Sequence, residues 1–419
     1  MSARYDCLVL GAGPAGATVA ALVAGAGCRT LLVERDAPPR YHVGESLLPL
    51  AHATLRRLGL VERLNNGPFP KKHGVSFCSH DGRQSQTFRF ADRDTGPAAH
   101  SWQALRSELD EMLWQTARSH GAECRDRTRA IGVIREGGAV VGAVLQTADS
   151  DSTTVRAKVV VDATGGHSLL GEKMNLPFVE HGPRRSAIWG YYENARRETG
   201  HAEATTHIFR SRDRRSWFWY VPLRDNVVSV GVVGSADHLL RGRGRLASVF
   251  EEELVQCPAV LERLLDARLL GELRSSGSFA PSTRAGAGDG WLLVGDALLT
   301  LDPVFCAGVS VGLRSAELAA DAVVAALNSS LTAAGRLGHW QPAFLMSASK
   351  LHRLSAAFHD PRFSFRAFLE KHPGQYGALV DVLAGRVFCS TAEPLVALVE
   401  QWLGSLEDGH AAQSLQIAE

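Results

Sequence analysis

The residues most able to do chemistry in this 419-residue chain sit at turns that follow apolar runs. Gly11-Ala12-Gly13-Pro14-Ala15-Gly16 follows Tyr5–Leu10, and Glu34-Arg35 closes a second run, Arg29–Val33. Gly11 suits a tight turn, Gly13 lets the backbone approach a pyrophosphate, and Gly16 lets helix and strand pack closely. An acid roughly 20 residues on can accept ribose hydroxyls. A later run, Gly290–Val294, ends in Gly295-Asp296. There a carboxylate can bond the hydroxyls of a sugar-alcohol chain. Near Gly308 and Val309 a helix start offers backbone N–H groups to an anion or an electron-rich ring edge. The stretch Gly231-Val232-Val233-Gly234 does not repeat the fingerprint, so one nucleotide cofactor is expected.

The elements that must position these residues follow from pattern. Tyr5–Leu10, the alanine-rich Ala17–Ala26 and Arg29–Val33 read as strand, helix and strand, a βαβ unit. Ser46 is placed as the N-cap of a helix running towards Gly59. The segment from Asn65 to Gly74, with Lys71 and Lys72, reads as a loop. An amphipathic helix follows Ser101-Trp102-Gln103 and runs through Ser119, with Leu105, Leu109, Met112 and Leu113 on one stripe. Strands are expected at Val75–Ser79, Ser85–Phe90, Thr128–Glu136, Ala139–Thr147 and Thr154–Val161. Antiparallel strands then follow at Ala187–Glu193, Ala204–Arg210, Trp217–Pro222 and Asn226–Val233. Helices at Ala236–Gln256 and Ala259–Ala267, a strand at Glu272–Phe279 and a long helix from Cys306 to Leu327 complete the pattern. The composition is helical from Gly338 onward.

Composition narrows the class. The chain is 45% hydrophobic and 21% charged, an ordinary globular balance. A net charge of +1 gives no electrostatic pointer to nucleic acid or an acidic membrane surface. No apolar run is long enough for a transmembrane helix. The seven cysteines are scattered, without a CxxC pair or metal spacing. That suits a reducing, cytoplasmic setting.

Taken together, Gly11-x-Gly13-x-x-Gly16, Glu34, the arginine of Arg106-Ser107-Glu108-Leu109-Asp110, and Gly295-Asp296 resemble the FAD-dependent aromatic hydroxylase superfamily. Val43-Gly44-Glu45-Ser46 and Trp217-Phe218-Trp219-Tyr220-Val221-Pro222, with Val221 in place of isoleucine, resemble, more narrowly, the flavin-dependent halogenases, and Asp302-Pro303-Val304-Phe305-Cys306-Ala307-Gly308-Val309 resembles their subgroup acting on phenols, pyrroles and carrier-bound substrates. The resemblance implies an α/β chain with a Rossmann-like FAD-binding domain (1–74, 98–170 and 285–335). It also implies an antiparallel-sheet substrate domain (75–97 and 171–284) and a helical C-terminal region (336–419). It places FAD against Gly11, Gly13, Ala15, Gly16, Glu34, Arg35, Ser46, Arg106, Asp296, Gly308 and Val309. The reduced form would come from a partner flavin reductase, and a halide ion would be the co-substrate.

In such enzymes hypohalous acid is held and aimed by a lysine, and Phe69–Val75 looks like the segment that carries it. Lys72 is the closer match and Lys71 the next; an ordinary solvated loop pair would look the same. Trp217 and Trp219 share one strand face; the family uses them to separate flavin from substrate, although aromatic strand residues are also common in cores. Phe305 stands where enzymes acting on free tryptophan are expected to carry glutamate, which disfavours that substrate. Cys306 and Ala307 replace two serines near the expected halide and flavin site. Asp302 resembles an aspartate that bonds covalently to flavin in a few relatives, and is otherwise structural. His100 and Cys306 are lesser candidates for a reactive role. The expected activity is halogenation of an electron-rich aromatic, free or tethered to a carrier or peptide. The alternatives are hydroxylation of an aromatic, such as a Trp or Tyr residue during quinone-cofactor maturation, and a reductase-like flavoprotein.

Overall fold

The structure is a computed structural model that describes residues 4–37, 41–147, 152–179, 184–277, 282–283 and 286–416, with no side-chain description of 201, 282 or 407–416. Phe279 and the expected domain junction at 284/285 lie outside the described residues. The chain divides into two compact units. One comprises Met1–Phe69, Ala104–Pro183 and Phe279–Leu345; the other comprises Pro70–Gln103, Arg184–Ser278 and Met346–Glu419.

In the first unit, Glu123–Arg125, Thr30–Val33, Arg4–Leu10, Ser152–Asp162 and Trp291–Leu293 lie side by side, all parallel. Runs buried on both faces explain their composition: Cys7 to Leu10, Leu31, Leu32, Val159 to Val161, Leu292 and Leu293 have almost no exposed surface. Helix Pro14–Gly25 follows the first strand and packs against helices Arg106–Ser119 and Gly308–Asn328. Leu10 is in register with both Asp162 and Val33, and Asp162 with Leu293. The Gly11 turn, Glu34, the Asp162 loop and Gly295-Asp296 therefore leave from one edge, the carboxyl ends of parallel strands. That is where open α/β sheets bind ligands. Asp162 itself is spent on the fold. It accepts from Thr164 N and Oγ1, Ser168 Oγ and Leu170 N at 2.6–3.0 Å, although burial raises its carboxyl pKa.

In the second unit, a seven-stranded sheet runs in the order Arg268–Ser276, Arg185–Glu193, Val227–Ser235, Ser216–Pro222, Thr206–Arg210, Gly74–Cys78, Ser85–Arg89. Every pairing is antiparallel except Thr206–Arg210 with Gly74–Cys78. Alternation sorts its side chains. Ile188, Phe209, Phe218, Tyr220, Val228, Val230 and Val232 pack under Val249, Phe250 and Val260 on one face. Trp217 and Trp219 take the other. The later helices add aromatic weight within this unit: Phe365 lies 4.5 Å from Phe77, and Tyr376 stacks 5.6 Å from Phe88.

Three local expectations are corrected. The helix after Ser46 begins only at Ala51, and Ser46 sits in an isolated bridge instead of capping it. The expected helix Ala236–Gln256 is two helices, Ala236–Leu239 and Leu246–Val255. Gly242 and Gly244 between them take φ of 73° and 85°, which an α-helix cannot hold. Lys71–Lys72 is not loop but a short strand, antiparallel to Ser101–Trp102. The following helix accordingly starts at Arg106.

His207 stacks 5.9 Å from Phe209 and is nearly buried; desolvation, aided by Arg263, pushes its pKa from 6.5 down to about 4. The unfolded chain therefore takes up this proton first as acid is added. Its contribution is fully present above the unfolded value and is lost as pH falls towards the folded one. The expected loss is about 2 kcal/mol between pH ~7.5 and pH ~5. Denaturant titration at both values, wild type against His207→Gln, should show a smaller loss in the variant.

Candidate functional site

The first unit assembles the nucleotide-side residues. A Cβ on Gly16 would lie 1.9 Å from Gly11 O, so only glycine lets the helix sit on the turn, and Gly11 itself has φ 95°. Gly13 is the opposite case: it is extended (φ −65°, ψ 179°), and a Cβ there would meet no protein atom within 4 Å. Its backbone faces open space at a helix start, the arrangement that receives a phosphate. Glu34 is buried, and its carboxylate accepts from Ala12 N at 2.7 Å and Asp36 N at 3.2 Å. It is thereby anchored beside the glycine turn. Arg35 points to the surface, where it pairs with Asp36 at 3.2 Å.

Residues far apart in sequence meet here. A Cβ on Gly44 (φ 113°) would lie 2.8 Å from Val309 Cγ2 and 3.2 Å from Arg106 Nη1; one on Gly295 would lie 2.9 Å from Ala15 Cβ. Arg106 is buried and donates to Asp110 at 2.9 and 3.2 Å and to Val43 O at 2.5 Å. Burial opposes its charge, but the carboxylates of Asp110, Asp296 and Glu45 outweigh this and raise its pKa. Asp296 is solvent-accessible, yet surrounding protein desolvates it enough to raise its carboxyl pKa against the pull of Arg106. Buried Ser46 lies on the segment that Leu48 N ties to Ser310 Oγ at 2.9 Å. Gly308 opens the helix, and a Cβ on it would meet nothing within 4 Å. Asp302 accepts from Val304 N at 3.0 Å and so caps the turn Pro303–Phe305. Cys306 follows in the left-handed region, φ 55°.

The open Gly13 backbone, the anchored Glu34 and the accessible carboxylate of Asp296 suit the pyrophosphate, ribose and sugar-alcohol chain of FAD.

The second unit holds the other candidates. Lys72 has no exposed surface and lies 5.6 Å from the Phe90 ring centroid, whereas Lys71 is exposed. The pair is therefore not a solvated loop; strand pairing with Ser101 turns one lysine inward. Trp217 and Trp219 are buried, 6.4 Å apart, on one sheet face. Trp219 lies across Gly231, where a Cβ would fall 2.3 Å from its ring, and donates to Ser229 Oγ at 3.1 Å. The indole N–H of Trp217 is buried and finds no acceptor among the described residues. His100 is half-buried, 5.4 Å from Trp102 and 6.0 Å from His73. Sequence reasoning missed Ser101 and Gln103, which share the Lys72 ribbon; the signal was alternation across a pairing too short to be seen in the sequence.

The chain belongs to the FAD binding domain family, whose profile matches residues 4–333, and within it to the flavin-dependent halogenases. It is 32% identical over 327 residues to a 1H-pyrrole-2-carbonyl-[peptidyl-carrier protein] brominase of Pseudoalteromonas luteoviolacea, covering 77% of this chain and 78% of that one. The flavin-dependent halogenase rdc2 of Metacordyceps chlamydosporia is 30% identical, over 79% and 67%. Among solved structures, the myxobacterial chondrochloren halogenase CndH superposes with a TM-score of 0.80 at 26% identity, over 95% and 97%. The flavin-dependent brominase Bmp2, at 24% identity, shares the fold with a TM-score of 0.86 over 97% and 100%. FAD is accordingly the cofactor, and the relatives support halogenation over hydroxylation. No helix of the described residues is long and apolar enough to cross a membrane.

The two glycines separate binding from folding. Gly13→Ala should leave denaturant stability within about 0.5 kcal/mol of wild type, as substitutions free of clashes do, yet weaken FAD binding measured by flavin fluorescence. Gly16→Ala should lower both.

Proposed function

We propose that this chain halogenates an electron-rich pyrrole or phenol, free or tethered to a carrier or peptide, with Lys72 aiming the oxidant. The observation that carries this reading is the complete burial of the Lys72 side chain beside Phe90. When bound and reduced by electrons from a separate flavin reductase, FAD supplies the reducing power with which O2 and halide yield hypohalous acid. Residues of the first unit would bind FAD: Gly11, Gly13, Ala15 and Gly16 at the pyrophosphate turn, Glu34 and Arg35 at the ribose end, and Ser46, Arg106, Asp296, Gly308 and Val309 further along. In the second unit the Lys72 ammonium would donate a hydrogen bond to hypohalous acid, or its amine would take the halogen. Either way an electrophilic halogen is held out of water. The ring then gains the halogen and loses a proton, and water is the other product. Trp217 and Trp219 would keep bulk water from the oxidant.

Support for a tethered pyrrole comes from relatives. Besides the brominase above, a 1H-pyrrole-2-carbonyl-[peptidyl-carrier protein] chlorinase of Pseudomonas fluorescens is 26% identical over 92% of this chain and 90% of that one. Phe305, buried where enzymes of free tryptophan would carry glutamate, argues against that substrate. The reading places the reaction in the cytoplasm, in secondary metabolism.

The test is product mass. With reduced FAD, O2 and bromide or chloride, pyrrole-2-carbonyl thioesters or phenols should gain a halogen mass, and omission of halide should stop turnover. A hydroxylated product indifferent to halide would refute the reading.

A further inference from the structure

Antiparallel pairing places Lys72 opposite Ser101, and Gln103 N donates to Pro70 O at 2.9 Å, which continues the same ribbon. Residues directly opposite share a face, as do residues two apart. Lys72, Ser101 and Gln103 therefore lie on one side of the ribbon, and Lys71 and Trp102 on the other. All three are buried, at 0%, 0% and 1% exposure.

The Gln103 amide is fixed in orientation. Its Nε2 donates to Ala204 O at 2.9 Å and to Thr206 Oγ1 at 2.8 Å, and a peptide carbonyl can only accept. Oε1 is therefore the free end of the amide. It is buried and meets no donor among the described residues; Ser101 Oγ beside it is equally without a partner. A buried carbonyl acceptor that has lost water and gained no donor is unfavourable, and such groups mark places where a ligand completes the bonding. Thr206, which anchors the amide, lies on the same sheet face as Ile208, and Ile208 is paired with Trp219. The amide thus shares a ribbon face with the buried lysine and is anchored on the strand that pairs with the tryptophan strand, all within the second unit.

We infer that Gln103 is a specificity residue whose Oε1 accepts a hydrogen bond from the ring N–H or O–H of the aromatic substrate, turning one ring carbon towards Lys72. This rests on the halogenase reading and adds the group that reads the ring. A ring lacking the donor leaves the carbonyl unpaired, which is the situation that lets polar sites reject isosteres.

The test is equilibrium binding to the intact, FAD-loaded enzyme without reductant or halide, so that it stands or falls apart from turnover. The probes are pyrrole-2-carboxamide against furan-2-carboxamide, and phenol against fluorobenzene, followed by titration calorimetry. The wild type should bind the donor-bearing member of one pair at least about tenfold more tightly, worth ~1.4 kcal/mol. The pair that shows the preference identifies the ring class. Gln103→Leu should erase it. Equal affinities in the wild type for both pairs, including no detectable binding of either, would overturn the inference without needing any variant to fold. So would a preference that survives Gln103→Leu.

Discussion

Taking the Lys72 ammonium out of water costs several kcal/mol, and a fold keeps such a group only where its neighbours hold it. Much of the second unit's local design answers that constraint. Two residues of strand, Lys71–Lys72, pair with Ser101–Trp102 and turn one lysine outward and one inward. The Phe90 ring lies 5.6 Å from its Nζ. A lysine in water would meet hypohalous acid as one nucleophile among many. A lysine on a fixed ribbon, screened from water, can hold the oxidant in one place and present it in one direction.

The first unit obeys a different constraint, set by its sheet. Parallel strands in register end together, so every turn that follows them opens on one edge. Gly13, Glu34 and Asp296 reach that edge from three strands. Gly44, Arg106 and Val309 arrive from segments that join it only through packing. Arg106 is the electrostatic hinge of this cluster: Asp110 keeps it charged in a buried place, and it in turn opposes the desolvation that raises the Asp296 pKa.

What could be read from sequence was what is local. The glycine turn, its helix and Glu34 fall within about thirty residues, and strand, turn and helix signals agree there. Trp217 and Trp219 stand two apart on a strand, so their shared face was visible in advance. The meeting of Gly44 with Val309 was not legible, because nothing in either segment encodes a partner more than 260 residues away. The Lys71–Lys72 strand was missed because two residues carry no periodicity. The helix from Ala236 was drawn too long because Gly242 and Gly244 were not weighed as left-handed breakers. Ser46 has the right type for an N-cap, but the chain turns only after Pro49, and tertiary bonding of Leu48 N to Ser310 Oγ accounts for that segment instead.

The central claim is that Lys72 aims the oxidant and does not make it. The most direct measurement is Lys72→Ala supplied with reduced FAD, O2 and halide, with released hypohalous acid trapped by a scavenger while aromatic product is followed by mass. The account predicts trapped oxidant at about the wild-type rate of flavin oxidation, with halogenated product reduced by at least ~10²-fold, the scale on which positioned acid–base groups act. Halogenation of the aromatic at the wild-type rate by Lys72→Ala would contradict it.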